Sequence, residues 1–357
     1  PYLMMRSRKY ILGLTIVAAI FVCGYFIFRS ETSPQYSYKV TNSCTNCNGV
    51  SLFATLEYQG PGDSYVNATN NIIKTANFTY CFITPNQLVA RIVDANNQRF
   101  EVPHEAPFPH NDPNAQCIST DQANAQVNFD QDPFSFSVKR TSTQEVIFDT
   151  SDMDLIFSEY YLQVSTKLPT ANLFGIGERN YKLDLGTGGT FTIFNKDQGF
   201  NLEDATAGHN LYGYHPVYLQ RENSGKFSMV LLRSSNAMDV VIENQVLTYK
   251  VIGGVIDLNF FLGGDDPAFP ETVVKQYHTY VGGWIMHPFW AFGHHQSQYG
   301  FKNAQEMETV LANYQSHDLI LDVIWSDIDY MKDYVDFIID DANFPPSQMN
   351  NMLQTYQ

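Results

Sequence analysis

The sequence predicts a mixed chain: a transmembrane helix, then an antiparallel β-sandwich, then the opening units of an α/β barrel. Three observations predict this order: a charge-free apolar run near the N-terminus, a long series of short strand-like runs, and a final stretch alternating strand with helix. At 357 residues, 44% hydrophobic and 14% aromatic, the chain can bury a large core and hold more than one domain. Its 37 acidic and 21 basic residues give a formal charge of -16. That balance argues against a nucleic-acid partner, because phosphate binding needs clustered Lys and Arg. A neutral ligand such as a sugar suits it better.

Residues 10–28 carry no charge and are almost wholly apolar. At about 1.5 Å per residue such a run crosses a bilayer core of about 30 Å. Arg6, Arg8 and Lys9 precede it and only Arg29 follows closely, so the positive-inside bias predicts a cytosolic tail over 1–9 and a lumenal or extracellular remainder. The competing reading is a cleaved signal peptide, but the run is long for one and no small-x-small pattern follows it. Cys23 lies inside the run, whereas Cys44, Cys47, Cys81 and Cys117 fall on the lumenal side. Two disulfides are expected there, with three pairings open. Cys44 and Cys47 have metal-ligand spacing, but no paired histidine accompanies them, and no metal is expected. Asn67 with Thr69 and Asn77 with Thr79 are glycosylation sequons on the same side.

Residues 29–49 are polar and read as a stalk. From 50 to 269 β-branched and aromatic runs alternate with Gly, Pro and Asn, which predicts a sandwich of antiparallel sheets. Candidate strands are 88–93, 155–168, 191–194, 227–232, 239–242, 246–251 and 256–262. The register changes at Pro270, after which Val273, Val274, Tyr277 and Val281 recur at helical spacing until Gly282 and Gly283. Residues 270–357 are therefore assigned to a linker helix and the start of a barrel. A strand-like stretch over 289–292 opens it. A helix follows, capped by Asn303 with Glu306 three residues on. The apolar run 319–325 then reads as a buried parallel strand.

In β/α barrels the active site lies at the C-terminal ends of the strands. Asp327, Ile328 and Asp329 follow such an end, although these acids have the alternative of merely capping a turn. Asp322 reads as a buried acid bonded to a neighbour. Asn195 to Asp197 and His294 to Tyr299 form two further polar and aromatic clusters. Carboxylates for hydroxyls and aromatic faces for the sugar ring suit a saccharide site. The adjacent His294 and His295 point to opposite faces if extended, which argues against a shared metal. Gly175-Ile-Gly177 is a lone GxG, so no nucleotide cofactor is expected.

Phe174-Gly-Ile-Gly-Glu178, Phe194-Asn-Lys-Asp197, Leu211-Tyr-Gly-Tyr-His-Pro216, Ser235-Asn-Ala-Met-Asp-Val-Val241 and Gly253-Gly-Val-Ile-Asp257 occur in that order. With residues 293–301 and 322–331, they resemble glycoside hydrolase family 31, nearest its digestive and lysosomal α-glucosidases. The resemblance implies a galactose-mutarotase-like sandwich and a (β/α)8 TIM barrel. It implies that Asp197 binds a sugar hydroxyl from a sandwich loop and that Tyr299 lines the pocket. It also implies that Asp327, with Ile328 beside it, binds the terminal glucose, and that Asp329 is structural. The substrate implied is an α-glucoside oligosaccharide, cleaved with retention by two carboxylates. Neither has a counterpart here, so no catalytic residue is assigned and the chain alone is expected to be inactive. The sequence departs from the family at Gln298, where many members carry Arg, and at His294 and Gln296. A non-catalytic carbohydrate-binding module remains the alternative, and within the enzyme class an α-xylosidase or endoplasmic-reticulum glucosidase.

Overall fold

Between Tyr38 and Phe261 most runs have a side-chain period of two, which puts the apolar set of each run on one face. A computed structural model describes residues 34–47, 49–61, 71–103, 116–186, 188–195, 208–264 and 269–356. In chain order the strands are β1 (Tyr38–Cys47), β2 (Val50–Tyr58), β3 (Thr75–Thr84), β4 (Gln87–Asp94), β5 (Ala125–Gln131), β6 (Phe134–Arg140), β7 (Val146–Asp149) and β8 (Ile156–Phe157). They continue with β9 (Leu162–Lys167), β10 (Leu173–Arg179), β11 (Gly189–Ile193), β12 (Asn210–Arg221), β13 (Phe227–Leu232), β14 (Met238–Glu243), β15 (Val246–Val251) and β16 (Ile256–Phe261). The larger sheet has the order β1-β2-β3-β4-β16-β13-β12-β10 and the smaller β11-β14-β15-β9-β8, while β5, β6 and β7 form a third. Every pairing within these sheets is antiparallel.

The inner faces meet in one core. Leu52, Leu56, Phe78, Leu88 and Ile92 of the larger sheet share it with Val240, Ile242, Leu247 and Tyr249 of the smaller. The third sheet adds Phe136 and Phe148, and an aromatic chain runs from Phe78 to Phe136, Phe148 and Phe260 with centroids 5.1, 5.5 and 5.3 Å apart. A buried ion pair locks the third sheet to the turn between β12 and β13. Arg140 Nε and Nη2 donate to the Glu222 carboxylate at 2.8 and 2.6 Å, and Nη2 also donates to Leu262 O at 2.7 Å. Gly188 sits at φ 110°, where an added Cβ would lie 2.1 Å from Ile242 O. Gly188→Ala is therefore expected to destabilise the sandwich by about 2 kcal/mol, seen as a Tm lowered by about 4–8 °C.

The structure corrects several expectations. The stalk over 29–49 is in its second half the strand β1, because Tyr38 is buried and the strand pairs with β2 along most of its length. Its polar composition reflects an edge strand whose residues from Thr41 to Asn46 are exposed. The apolar stretch 155–168 is two strands, split by a turn in which Ser158 N donates to Tyr161 O at 2.9 Å. The linker helix α1 (Glu271–Tyr280) belongs with the sandwich, since the chain divides into compact units after Gly283. Both faces of β16 are buried: Leu258 and Phe260 enter the main core, while Phe261 packs with Val273 and Tyr280 of α1. The expected membrane helix over 10–28 lies outside the described residues, as do Asn67 and Asp197; among the described residues no helix is long and apolar enough to cross a membrane.

The C-terminal unit contains β17 (His295–Ser297), α2 (Ala304–Ser316), β18 (Val323–Trp325) and α3 (Pro346–Thr355). The two strands are parallel, with His295 beside Val323 and Ser297 beside Trp325. This is a strand-helix-strand unit of the β/α type. Asn303 caps α2 by accepting from Glu306 N at 3.0 Å, and Glu306 accepts from Lys302 N rather than from Asn303. Ala304 and Met307 of α2 pack with Phe301, Phe344 and Met352, and Ile324 contacts the cluster from β18. Residues 289–292 form a 3-10 turn after Pro288 instead of a strand. Only three residues of 319–325 are extended, and Leu319 and Ile320 are exposed. Asp322 is exposed, not buried, yet its carboxylate accepts from His294 N at 2.8 Å. That carboxyl fills the space beside Gly293, where a Cβ would lie 2.3 Å from it.

Candidate sugar-recognition site at the β17 and β18 ends

The parallel register brings Ser297 level with Trp325, so the segments after them leave the sheet at the same end. Tyr299 lies on the first and is 69% exposed. Asp327 and Ile328 lie on the second, in a 3-10 turn over Asp327–Tyr330, and both are exposed. One hydrogen bond joins the two segments: Gly300 N donates to Asp329 Oδ2 at 2.7 Å. Asp329 is half-buried and braces the residue next to Tyr299.

Asp327 adopts φ 57°, a left-handed conformation that Asp and Asn tolerate better than most side chains. Its own Oδ1 accepts from Ile328 N at 2.7 Å, a local bond that supports this backbone. The carboxylate is thereby held outward at the strand end, where a hydroxyl-bearing ligand can meet it. Left-handed φ recurs at Asp333, Tyr334 and Phe337 on the same connection. Such positions concentrate where surrounding structure imposes them, as at ligand sites.

The rings of His294 and His295 point to opposite faces. His294 Nε2 is 3.3 Å from the Tyr314 hydroxyl of α2, which also donates to Gln296 Oε1 at 2.8 Å. His295 faces Trp325, whose indole Nε1 donates to His295 Nδ1 at 3.0 Å. Among the described residues no group of three or more His, Cys, Asp or Glu is gathered as a metal ion would require.

In the sandwich unit the residues leading up to position 196 are tightly held. Phe194 N donates to Asn210 Oδ1 at 2.8 Å, and Asn195 Nδ2 donates to Tyr212 O at 3.0 Å. Arg179 donates to three carbonyls: Ile176 at 2.7 Å, Gly208 at 2.5 Å and Thr192 at 2.8 Å. Its guanidinium lies over the Phe191 ring, and burial pushes its pKa down to about 10, leaving it charged at neutral pH. Arg179 and Asn210 escaped sequence reasoning. The only signal was an arginine following the Gly-Ile-Gly-Glu motif.

Other motif residues serve the sandwich itself. Asp257 is buried and accepts from Asn259 Nδ2 at 2.9 Å, with Arg233 3.4 Å away. Asn236 Nδ2 donates to Ile252 O beside the left-handed Gly253 and Gly254. Asn77 lies mid-strand in β3, opposite Thr55 and Val93, with its side chain turned away from the core that Ala76 and Phe78 enter. Of the three open cysteine pairings, the structure has Cys44–Cys47 and Cys81–Cys117.

The profile for the glycosyl hydrolase 31 N-terminal galactose mutarotase-like domain matches residues 56–239, and that for the glycosyl hydrolases family 31 TIM-barrel domain matches residues 284–357. A lysosomal acid alpha-glucosidase of Tetrahymena pyriformis is 38% identical over 309 residues, covering 86% of this chain and 33% of the relative. A probable alpha-glucosidase of Oryza sativa subsp. japonica is 36% identical over 350 residues, covering 93% and 38%. The chain thus spans between a third and two fifths of the length of these relatives. A solved GH31 dextranase of Flavobacterium johnsoniae, complexed with isomaltotriose, shares the fold with a TM-score of 0.66 at 14% identity, over 90% of this chain and 38% of that one.

Proposed function

The chain belongs to glycosyl hydrolase family 31, and on that premise we propose that it supplies the sandwich and the opening barrel unit of an α-glucosidase-type hydrolase. The intact enzyme releases terminal α-linked glucose from maltose-like oligosaccharides. The observation that carries this reading is the Gly300–Asp329 hydrogen bond, which joins the segments bearing Tyr299 and Asp327 at one end of a parallel strand pair. That is where a β/α barrel holds its ligand. Asp327 accepts hydrogen bonds from glucose hydroxyls, Ile328 and Tyr299 pack on apolar parts of the ring, and Asp329 holds the two segments together. Asp197 is assigned a sugar hydroxyl on its motif alone.

Cleavage proceeds with retention: one carboxylate attacks the anomeric carbon and a second, protonated, donates to the leaving oxygen. Neither part is assigned to this chain, which recognises the sugar without breaking the bond and alone hydrolyses nothing. Residues 10–28 anchor the protein with its sugar-binding side lumenal or extracellular, and the sequons at Asn67 and Asn77 are consistent with that side. The complete enzyme given maltose should release glucose first as the α-anomer, followed by proton NMR before mutarotation. Release of the β-anomer first, or no release, would overturn the reading.

A further inference from the structure

We propose that His295 is a positioning residue for sugar recognition: its imidazole, in the neutral form that accepts at Nδ1, fixes the Trp325 indole and with it the strand end leading into Asp327. This rests on the reading of Asp327 as a glucose ligand. An indole N–H can only donate, so the 3.0 Å contact from Trp325 Nε1 requires a His295 Nδ1 without a proton. The other ring nitrogen, Nε2, lies 3.3 Å from the Trp290 carbonyl, which can only accept. The two neighbours therefore select one tautomer, with its proton on Nε2.

The rings reinforce the bond. His295 stacks on Trp325 with centroids 5.9 Å apart and planes 23° apart, and Trp290 lies 6.3 Å away on a 30° tilt. Burial does not hold the indole, since Trp325 is 49% exposed. What fixes it is a diagonal contact between parallel neighbours, because His295 pairs with Val323 and Ser297 with Trp325. Two residues beyond Trp325, Asp327 must hold its left-handed backbone to present its carboxylate. A swinging indole would loosen that turn.

A protonated imidazole carries two N–H groups and accepts from neither side, so only the neutral ring can receive the Trp325 N–H. The neighbouring acid Asp322 binds the His294 amide, and the Tyr314 hydroxyl binds His294 and Gln296 on the opposite face.

The test is the steady-state kinetics of maltose hydrolysis by the complete enzyme. His295→Ala should raise KM about tenfold while changing kcat by less than about threefold, the size expected for one lost hydrogen bond. His295→Gln, which can still accept from the indole, should restore KM. A KM unmoved in His295→Ala, or one that His295→Gln fails to restore, overturns the proposal. A wild type that hydrolyses nothing overturns the parent reading instead. Independently of turnover, 15N-tryptophan labelling of this chain gives three indole signals. One should move in His295→Ala and return towards its wild-type position in His295→Gln; three signals unmoved by His295→Ala would also overturn the proposal.

Discussion

Replacing Glu222 by alanine is expected to lower the stability of the sandwich by about 3–5 kcal/mol, the usual loss when one partner of a buried ion pair is removed. The pair is almost inaccessible, with side-chain exposures of 1% for Arg140 and 0% for Glu222. Removing the carboxylate leaves a guanidinium in the core with, among the described residues, only the Phe227 and Leu262 carbonyls as acceptors. Those carbonyls carry partial charges and cannot replace a bidentate anion. Chemical denaturation followed by far-UV circular dichroism would measure the effect. Tryptophan fluorescence would not, because Trp284, Trp290 and Trp325 all lie in the C-terminal unit. A midpoint shift equivalent to less than about 1 kcal/mol would show that water reaches Arg140, as it reaches the ion pairs of protein surfaces.

The second large effect is on recognition. Asp327→Asn in the complete enzyme should lower kcat/KM for maltose by more than tenfold, because a charge-assisted hydrogen bond contributes about 1.5–3 kcal/mol. Asparagine suits this comparison. It tolerates φ near 57° as aspartate does, and its Oδ1 can still accept from Ile328 N. The turn survives and only the charge is lost. Unchanged catalytic efficiency would remove Asp327 from the glucose site.

Side-chain alternation made much of the sandwich legible. The runs 227–232 and 246–251 coincide with β13 and β15: β15 alternates buried Leu247, Tyr249 and Val251 with half-buried neighbours, while β13 is a continuous run buried on both faces. The stretch 155–168 fused two strands because apolar residues flank the Ser158 turn on both sides, and periodicity has no means of marking a turn. β1 escaped because an edge strand needs few apolar residues. The run 319–325 is strongly apolar, but most of it is connection; composition reports the preference for burial, not where the ladder begins.

In the sequence, the segments bearing Tyr299 and Asp327 are candidates through their place after strand-like runs and through a family resemblance, and the structure has them leave the sheet at the same end. The sequence could not identify how the segments are joined. Gly300 with Asp329, and His295 with Trp325, are 29 and 30 residues apart, and neither pair has a local signature. Asp322 was recognised as a bonded acid but misjudged as buried. Its partner is a backbone amide at the surface, and hydrogen bonding alone does not require enclosure.

The seat of α1 on β13 and β16 sets where the polypeptide can be divided. Val273 and Tyr280 shield Met229, Leu231 and Phe261. An excision ending at the composition change before Pro270 would strip this cover and leave a greasy patch prone to self-association. A free-standing sandwich module has to carry the helix with it, up to the paired glycines at 282 and 283.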